Sequence, residues 1–257
     1  MIDLHTHILP GLDDGARDLD AAFELAQESV AQGVSVIAAT PHVRADFPAV
    51  QPSTISTETE TLQRHLDVAA IPLRLVPGGE VDLSWALDAP RDALRRVSYA
   101  GFGAWLLVET PYGPLPSLFE ALLEEVRVHG LDILLAHPER NPSFQDDPKR
   151  LRALVGRGVC VQVTAASLAS RRRSKSRQLA LALVKEGVAH VIASDAHTAG
   201  LRPTLQAGFL AAAREDAVRA EWMVTEAPAA ILEGDRPQDP PSSQRRSLLG
   251  RARRVLK

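Results

Sequence analysis

Two histidines one residue apart, His5 and His7, lie in the opening stretch Ile2-Asp3-Leu4-His5-Thr6-His7-Ile8-Leu9-Pro10-Gly11-Leu12-Asp13-Asp14-Gly15. Ile2 and Leu4 read as the start of a short strand that Pro10-Gly11 and Asp14-Gly15 close as a loop. Residues two apart on a strand share a face, so both imidazoles can address one object. A divalent cation is the natural candidate: neutral imidazole is its commonest protein ligand, and Asp14 adds a hard oxygen. The pattern then recurs. His42 ends Thr40-Pro41-His42, Glu80 follows Pro77-Gly78-Gly79, Glu109 follows an apolar run, His137 opens His137-Pro138-Glu139-Arg140, and Asp195 and His197 lie in Ser194-Asp195-Ala196-His197. These nine positions exceed what one ion needs, and a nitrogen and oxygen set without thiolate suits Mn, Zn or Fe. About two to three ions are implied, which together can activate water and clamp a phosphoryl group. Arg140 and Arg202 follow two of these motifs, and a guanidinium fork matches phosphate, so both are candidate phosphate clamps. A carboxylate at a strand end can instead cap the next helix, and for Asp14 and Asp195 that alternative stays open. His65, His129 and His190 do not follow strands and read as surface or capping residues.

The elements that must position these side chains alternate. Leu19, Ala22, Phe23, Ala26 and Val30 recur at helical spacing, with Asp18 as N-cap and Gly33 as the stop. Val34–Ala39 reads as a second strand and Pro72–Val76 as a third; the helix between them has Thr57 and Glu60 as a predicted capping box. Ala104–Val108 is the fourth, followed by a helix that Ser117 and Glu120 would cap and Gly130 would end. Leu131–Ala136 is the fifth, and Asp147-Pro148 opens the next helix. Val159–Val163 is the sixth, which delivers no evident ligand, and Val191–Ala193 is the seventh. Strands and helices alternating at roughly 30 residues imply parallel strands with helices outside. An open sheet would spread its strand ends, whereas the C-terminal rim of a barrel brings them to one place. The expected fold is a single-domain α/β chain, a distorted seven-stranded (β/α) barrel.

The chain has 257 residues, 45% of them hydrophobic, enough for one full core. Its net charge of -3 and pI near 6.2 leave no overall footprint for nucleic acid. The single cysteine, Cys160, excludes an intramolecular disulfide and argues against a thiolate-based zinc site. With Met1 leading directly into the first strand and no apolar run of membrane-spanning length, a cytoplasmic location is expected. Residues 1–234 read as the domain, and 235–257 as a basic, flexible tail. Seven Lys or Arg there, against Asp235 and Asp239, give it +5. With Leu248, Leu249, Val255 and Leu256, the tail is a candidate contact for an anionic membrane or a partner. The run Arg171-Arg172-Arg173-Ser174-Lys175-Ser176-Arg177 reads as solvated charge, with the alternative that its place after the sixth strand lets it steer an acidic or phosphorylated substrate.

Asp3-x-His5-x-His7, Thr40-Pro41-His42, Gly79-Glu80, Glu109, His137-Pro138-Glu139-Arg140 and Ser194-Asp195-x-His197 together resemble the polymerase and histidinol phosphatase (PHP) superfamily. More narrowly, His5-x-His7-Ile8-Leu9-Pro10-Gly11-x-Asp13-Asp14-Gly15 is similar to the metal-dependent protein-tyrosine phosphatases of bacterial capsule and exopolysaccharide biogenesis. The resemblance runs from Ile2 to about Gly234. It implies a PHP-type barrel and a trinuclear, often manganese-loaded site. His5, His7, Glu80 and Asp195 would hold one ion; Glu80, Glu109 and His137 a second; Asp14, His42 and His197 a third. Arg140 matches the family's phosphate-binding arginine, and Arg202-Pro203 resembles its Arg-Pro element. The implied reaction is direct attack of metal-bound hydroxide on the phosphorus of phosphotyrosine. The implied substrate is the phosphorylated tail of a polysaccharide-assembly tyrosine kinase. The basic extension and Thr164-Ala165-Ala166 depart from the family pattern. Two alternatives remain: a phosphatase for small monoesters such as histidinol phosphate, and a non-catalytic metal-stabilised scaffold whose tail recruits partners. A nuclease fits less well, because an acidic barrel offers no continuous basic groove.

Overall fold

The computed structural model describes residues 1–170, 174–201 and 204–239. Among them are β1 (Ile2–Thr6), β2 (Val36–Ala39), β3 (His42–Val43), β4 (Arg74–Pro77), β5 (Glu80–Asp82), β6 (Trp105–Glu109), β7 (Asp132–Ala136), β8 (Cys160–Thr164) and β9 (Val191–Ala193). Every pairing is parallel: β1 with β2, β2 with β4, and then β3, β5, β6, β7, β8 and β9 in that order. The seven expected strands are all present, as staves of which two are broken. β2 and β3 are one stave interrupted at Thr40-Pro41, where proline has no N–H to give the ladder. β4 and β5 are a second, interrupted at Gly78-Gly79; a Cβ on Gly79 would lie 2.8 Å from Val43 Cγ2. Backbone bonds cross the breaks, from Gly78 N to Ala39 O at 3.0 Å and from Glu80 N to Pro41 O at 3.1 Å.

The seam between the first and last staves is irregular but joined. Thr6 and Ala196 form an isolated parallel bridge. Asp195 N donates to His5 O at 2.9 Å, and His7 N to Ala196 O at 2.9 Å. The staves thus follow one another in a distorted ring rather than ending at two free edges.

Side chains alternate between two buried clusters. Leu106, Val108, Ile133, Leu135, Val161, Val163 and Ile192 pack outward against the helices. Leu4, Trp105, Leu107, Leu134, Cys160 and Val191 pack inward, where Tyr99, Ile231 and Leu232 join them. On β6 the inward residues run Trp105, Leu107, Glu109, so one strand supplies core at its start and a carboxylate at its end. The register of β1 shifts between Asp3 and Thr6, which lets Leu4 join the inner cluster while His5 also reaches inward to Gln162.

Several local expectations are corrected. The helix Ile55–Val68 begins before Thr57, so Thr57 and Glu60 lie inside it and form no capping box; buried Ile55, at its first position, anchors it to the core. Helix Phe119–Arg127 begins after Leu118 without a side-chain cap, and Glu120 instead binds Arg150 at 2.7 and 3.1 Å. Asp18 does cap its helix, accepting from Ala21 N. Helices Leu83–Asp88 and Arg91–Val97, between β5 and β6, have no counterpart in the sequence reading. His190 is not a surface residue: its Nδ1 accepts from Val161 N at 3.2 Å, and its own N–H donates to Val161 O at 2.8 Å. Of the segment assigned to the tail, Asp235 O accepts from Trp105 Nε1 at 3.0 Å and Arg236 binds Asp132 at 2.6 Å. The rest of it from 240 onward, Arg171 to Arg173 of the basic run, and Arg202 lie outside the described residues. Among the described residues, no helix is long and apolar enough to cross a membrane.

Candidate active site

All nine predicted positions meet at the C-terminal ends of the staves. Their donor atoms fall into four overlapping sets: His7, Asp14, His42 and His197; His5, His7 and Glu80; His5, His137 and Asp195; His42, Glu80 and Glu109. The partition differs from the one the resemblance implies, because His42 rather than His137 shares a set with Glu80 and Glu109. Glu80 is the hub. Its Oε2 lies 3.2 Å from His5 Nε2, 3.5 Å from His7 Nε2 and 3.0 Å from His42 Nδ1, while Oε1 meets His137 Nε2 at 2.9 Å. Asp14 is no helix cap: its Oδ1 approaches His42 Nε2 at 3.5 Å and His197 Nε2 at 3.3 Å. His65, on an exposed helix face, and His129 take no part in these sets.

The chain holds several donors in strained or tightly fitted backbone. His137 has φ +34° and Asp195 φ +52°, values that cost non-glycine residues energy and cluster at functional sites. Gly15 is required for a different reason: a Cβ there would lie 2.1 Å from His7 O.

A supporting layer orients the imidazoles. Asp13 Oδ2 accepts from His7 Nδ1 at 2.7 Å and from His42 N at 2.9 Å, and its Oδ1 accepts from Gly15 N at 3.0 Å. His7 Nε2 is therefore left to face the cluster. Gln162 does the same for His5. Its Oε1 accepts from His137 N at 3.3 Å and lies 3.2 Å from His5 Nδ1, which makes Nδ1 the donor and Nε2 the inward lone pair. Asp3 Oδ1 accepts from His5 N and Ser194 N at 3.3 and 3.0 Å. Glu139 Oε1 accepts from Thr164 N and Oγ1. Asp13 and Gln162 carry this layer and were not singled out from the sequence. Gln162 had a signal: it is the one polar residue in the apolar run Val159-Cys160-Val161-Gln162-Val163.

The electrostatics fit cations. Burial opposes charge on Glu80, yet His5, His137 and His42 hold its carboxyl well below the usual carboxylate range. Burial likewise opposes charge on Asp195, and His5, His7 and Arg140 overcome it. Burial would lower His7, but Asp13, Asp195 and Glu80 raise it well above the ordinary imidazole value. Asp13 is pulled down to about 2 by His7 against its own burial. Among the described residues, His42 Nδ1 and Glu80 Oε2 are buried and, although 3.0 Å apart, make no well-directed hydrogen bond. Buried orphans of this kind, an imidazole nitrogen beside a carboxylate oxygen, are what a divalent ion satisfies.

The cluster opens into a cavity of about 170 Å³ that is also lined by Thr110, Pro111, Tyr112, Arg140 and Asn141, of which Tyr112 is the most exposed. Arg140 ends a short turn, Pro138–Arg140, that follows His137, and its Nη1 donates to Asp195 Oδ2 at 2.6 Å. Lys175, from the basic run, is engaged by Asp146 at 2.7 Å.

Known proteins resemble this chain in sequence and fold. The family described as capsular polysaccharide synthesis, CpsB/CapC, matches residues 1–233. The tyrosine-protein phosphatase YwqE of Bacillus subtilis (strain 168) is 31% identical over 253 residues, 97% of this chain and 99% of that one. The tyrosine-protein phosphatase CpsB of Streptococcus pneumoniae is 24% identical over 240 residues, 90% of this chain and 98% of that one. A crystal structure from work on YwqE and CpsB, described as metal-dependent tyrosine phosphatases, matches at TM-score 0.81 and 30% identity over 94% of this chain and 100% of that one. The histidinol phosphate phosphatase of Lactococcus lactis matches at TM-score 0.50 and 14% identity over 88% and 94%, a likeness of fold alone. This chain belongs to the CpsB/CapC family of capsular polysaccharide synthesis.

Proposed function

We propose that the chain is a metal-dependent protein-tyrosine phosphatase whose substrate is a phosphotyrosine-bearing protein of polysaccharide assembly, a tyrosine kinase tail being the leading candidate. The observation that carries this reading is the convergence of nine nitrogen and oxygen donors in four overlapping sets beside Arg140, which lines the cavity. The nine are His5, His7, Asp14, His42, Glu80, Glu109, His137, Asp195 and His197. They would hold about two to three divalent ions, with manganese first and iron or zinc as rivals.

When bound, such ions supply Lewis-acid charge and lower the pKa of water towards neutrality. The chain's own contribution is orientation and charge. Asp13 and Gln162 fix the His7 and His5 rings with Nε2 inward, so the donor set is assembled before substrate arrives. Arg140 offers a fixed cation in the cavity lining; a phosphoryl group entering there meets its guanidinium, whose fork can take two phosphate oxygens. Its partner Asp195 keeps it aimed inward. Charge that builds on the phosphoryl oxygens during attack is met by a group already in place. Arg202 is proposed as a second clamp.

The test is turnover of a phosphotyrosine peptide beside histidinol phosphate, for the wild type and Arg140→Ala. The expected result is preference for the peptide, and a loss of about 100-fold or more in kcat/KM for the variant at unchanged metal content. A strong preference for histidinol phosphate would move the function to small monoesters.

A further inference from the structure

Tyr112 stands at the mouth of the metal-facing cavity, three residues beyond Glu109, and is 77% exposed. A single exposed aromatic residue is ordinary. This one is tethered. Its hydroxyl accepts from Arg44 Nη1 at 3.1 Å, and the same nitrogen donates to Glu109 Oε2 at 3.2 Å. Arg44 follows His42 by two residues, its Nε lies 2.8 Å from Asp46 Oδ1, and its side chain is only 16% exposed. Its guanidinium carbon lies 5.1 Å from the Phe47 ring centroid and 5.3 Å from that of Tyr112. Phe47 in turn stacks on His42, with centroids 5.2 Å apart and planes within 9°. Contacts therefore run unbroken from two donor-bearing segments to the Tyr112 ring. With Glu109 and Asp46 as partners, Arg44 is a clamp rather than a free anion site.

Tyr112 also lines two spaces, the cavity above the donor cluster and a groove of about 560 Å³ that Asp46, Asp82 and Trp85 line as well. A monoester whose phosphoryl group enters the cavity leaves the rest of its body at the mouth, beside this ring.

We infer that Tyr112, clamped by Arg44, is a specificity residue: its ring is the wall against which the phenyl ring of phosphotyrosine packs, so that the site favours aryl over alkyl phosphate monoesters. This inference rests on the phosphotyrosine reading above. Aromatic pairs in offset or edge contact gain affinity beyond simple burial, on the order of three- to ten-fold. An alkyl phosphate such as phosphoserine has no ring to make that contact.

The test compares phosphotyrosine and phosphoserine peptides of one flanking sequence with the metal-loaded wild type and with Tyr112→Ala, Tyr112→Leu and Tyr112→Phe. The ratio of kcat/KM between the two peptides cancels any effect common to both. Tyr112→Ala and Tyr112→Leu are expected to lower that ratio about three- to ten-fold, mainly by raising KM for the phosphotyrosine peptide, while Tyr112→Phe, which loses the hydroxyl bond but keeps the ring and its contact with the Arg44 guanidinium, retains most of it. A ratio unchanged in Tyr112→Ala and Tyr112→Leu, or activity on both peptides falling together, overturns the inference and leaves the phosphatase reading standing. A wild type that hydrolyses phosphoserine but not phosphotyrosine overturns both.

Discussion

Asp13 does not belong to any of the four donor sets, yet three of the site's groups depend on it: His7, the backbone of His42 and the turn at Gly15. Asp13→Asn keeps the size of the side chain but removes the charge that orients the His7 ring. Outer partners of this kind typically govern metal affinity by 10- to 100-fold, so titration of the variant with Mn²⁺ is expected to show a loss in about that range. Affinity within two-fold of the wild type would reduce Asp13 to a loop fastener. Most of the donors were legible because they stand at the end of a predicted strand or in the loop that follows it, where chemistry is visible against core. Asp13 was not, since in a sequence an acid beside another acid carries no sign of which one faces inward. Arg44 and Tyr112 were hidden for a related reason: they are joined to the site by the pairing of loops 65 residues or more apart.

At the level of elements, the strand ends are held by a few side-chain locks that the alternating pattern does not reveal. His190, just before β9, exchanges two hydrogen bonds with Val161 of β8 and lies 6.4 Å, centroid to centroid, from the Trp222 ring. Burial lowers its pKa from 6.5 to about 4. Between those values the unfolded chain takes up a proton that the folded chain refuses, so stability is fully present above pH 6.5 and is lost as pH falls towards 4. His190→Asn keeps an acceptor without the titration. Urea unfolding at pH 7.5 and 4.5 is expected to show the stability difference between wild type and variant shrinking by about 2 kcal/mol on acidification. A difference that does not change with pH would contradict the lock. The strand count itself came from apolar runs. The breaks at Thr40-Pro41 and Gly78-Gly79, and the helices over 83–97, did not, because short elements carry too few periods to be read.

For the whole molecule, the choice of a ring over an open sheet followed from the site: donors beyond six runs can meet only if the staves curve back on themselves. The structure joins the first and last staves through Thr6, Ala196 and the backbone of His5, His7 and Asp195, so the residues that close the ring are donors or their neighbours. Folding and site assembly are therefore coupled, and ions bound there should stabilise the closed ring. The most direct measurement is the metal content of the purified chain after dialysis against Mn²⁺, by elemental analysis, for the wild type and for Glu80→Gln, which alters the hub shared by two donor sets. About two to three ions per chain are expected in the wild type, and at least one fewer in the variant. A wild-type chain that binds no ion, yet hydrolyses phosphotyrosine at the same rate in the presence of a chelator, would contradict that expectation.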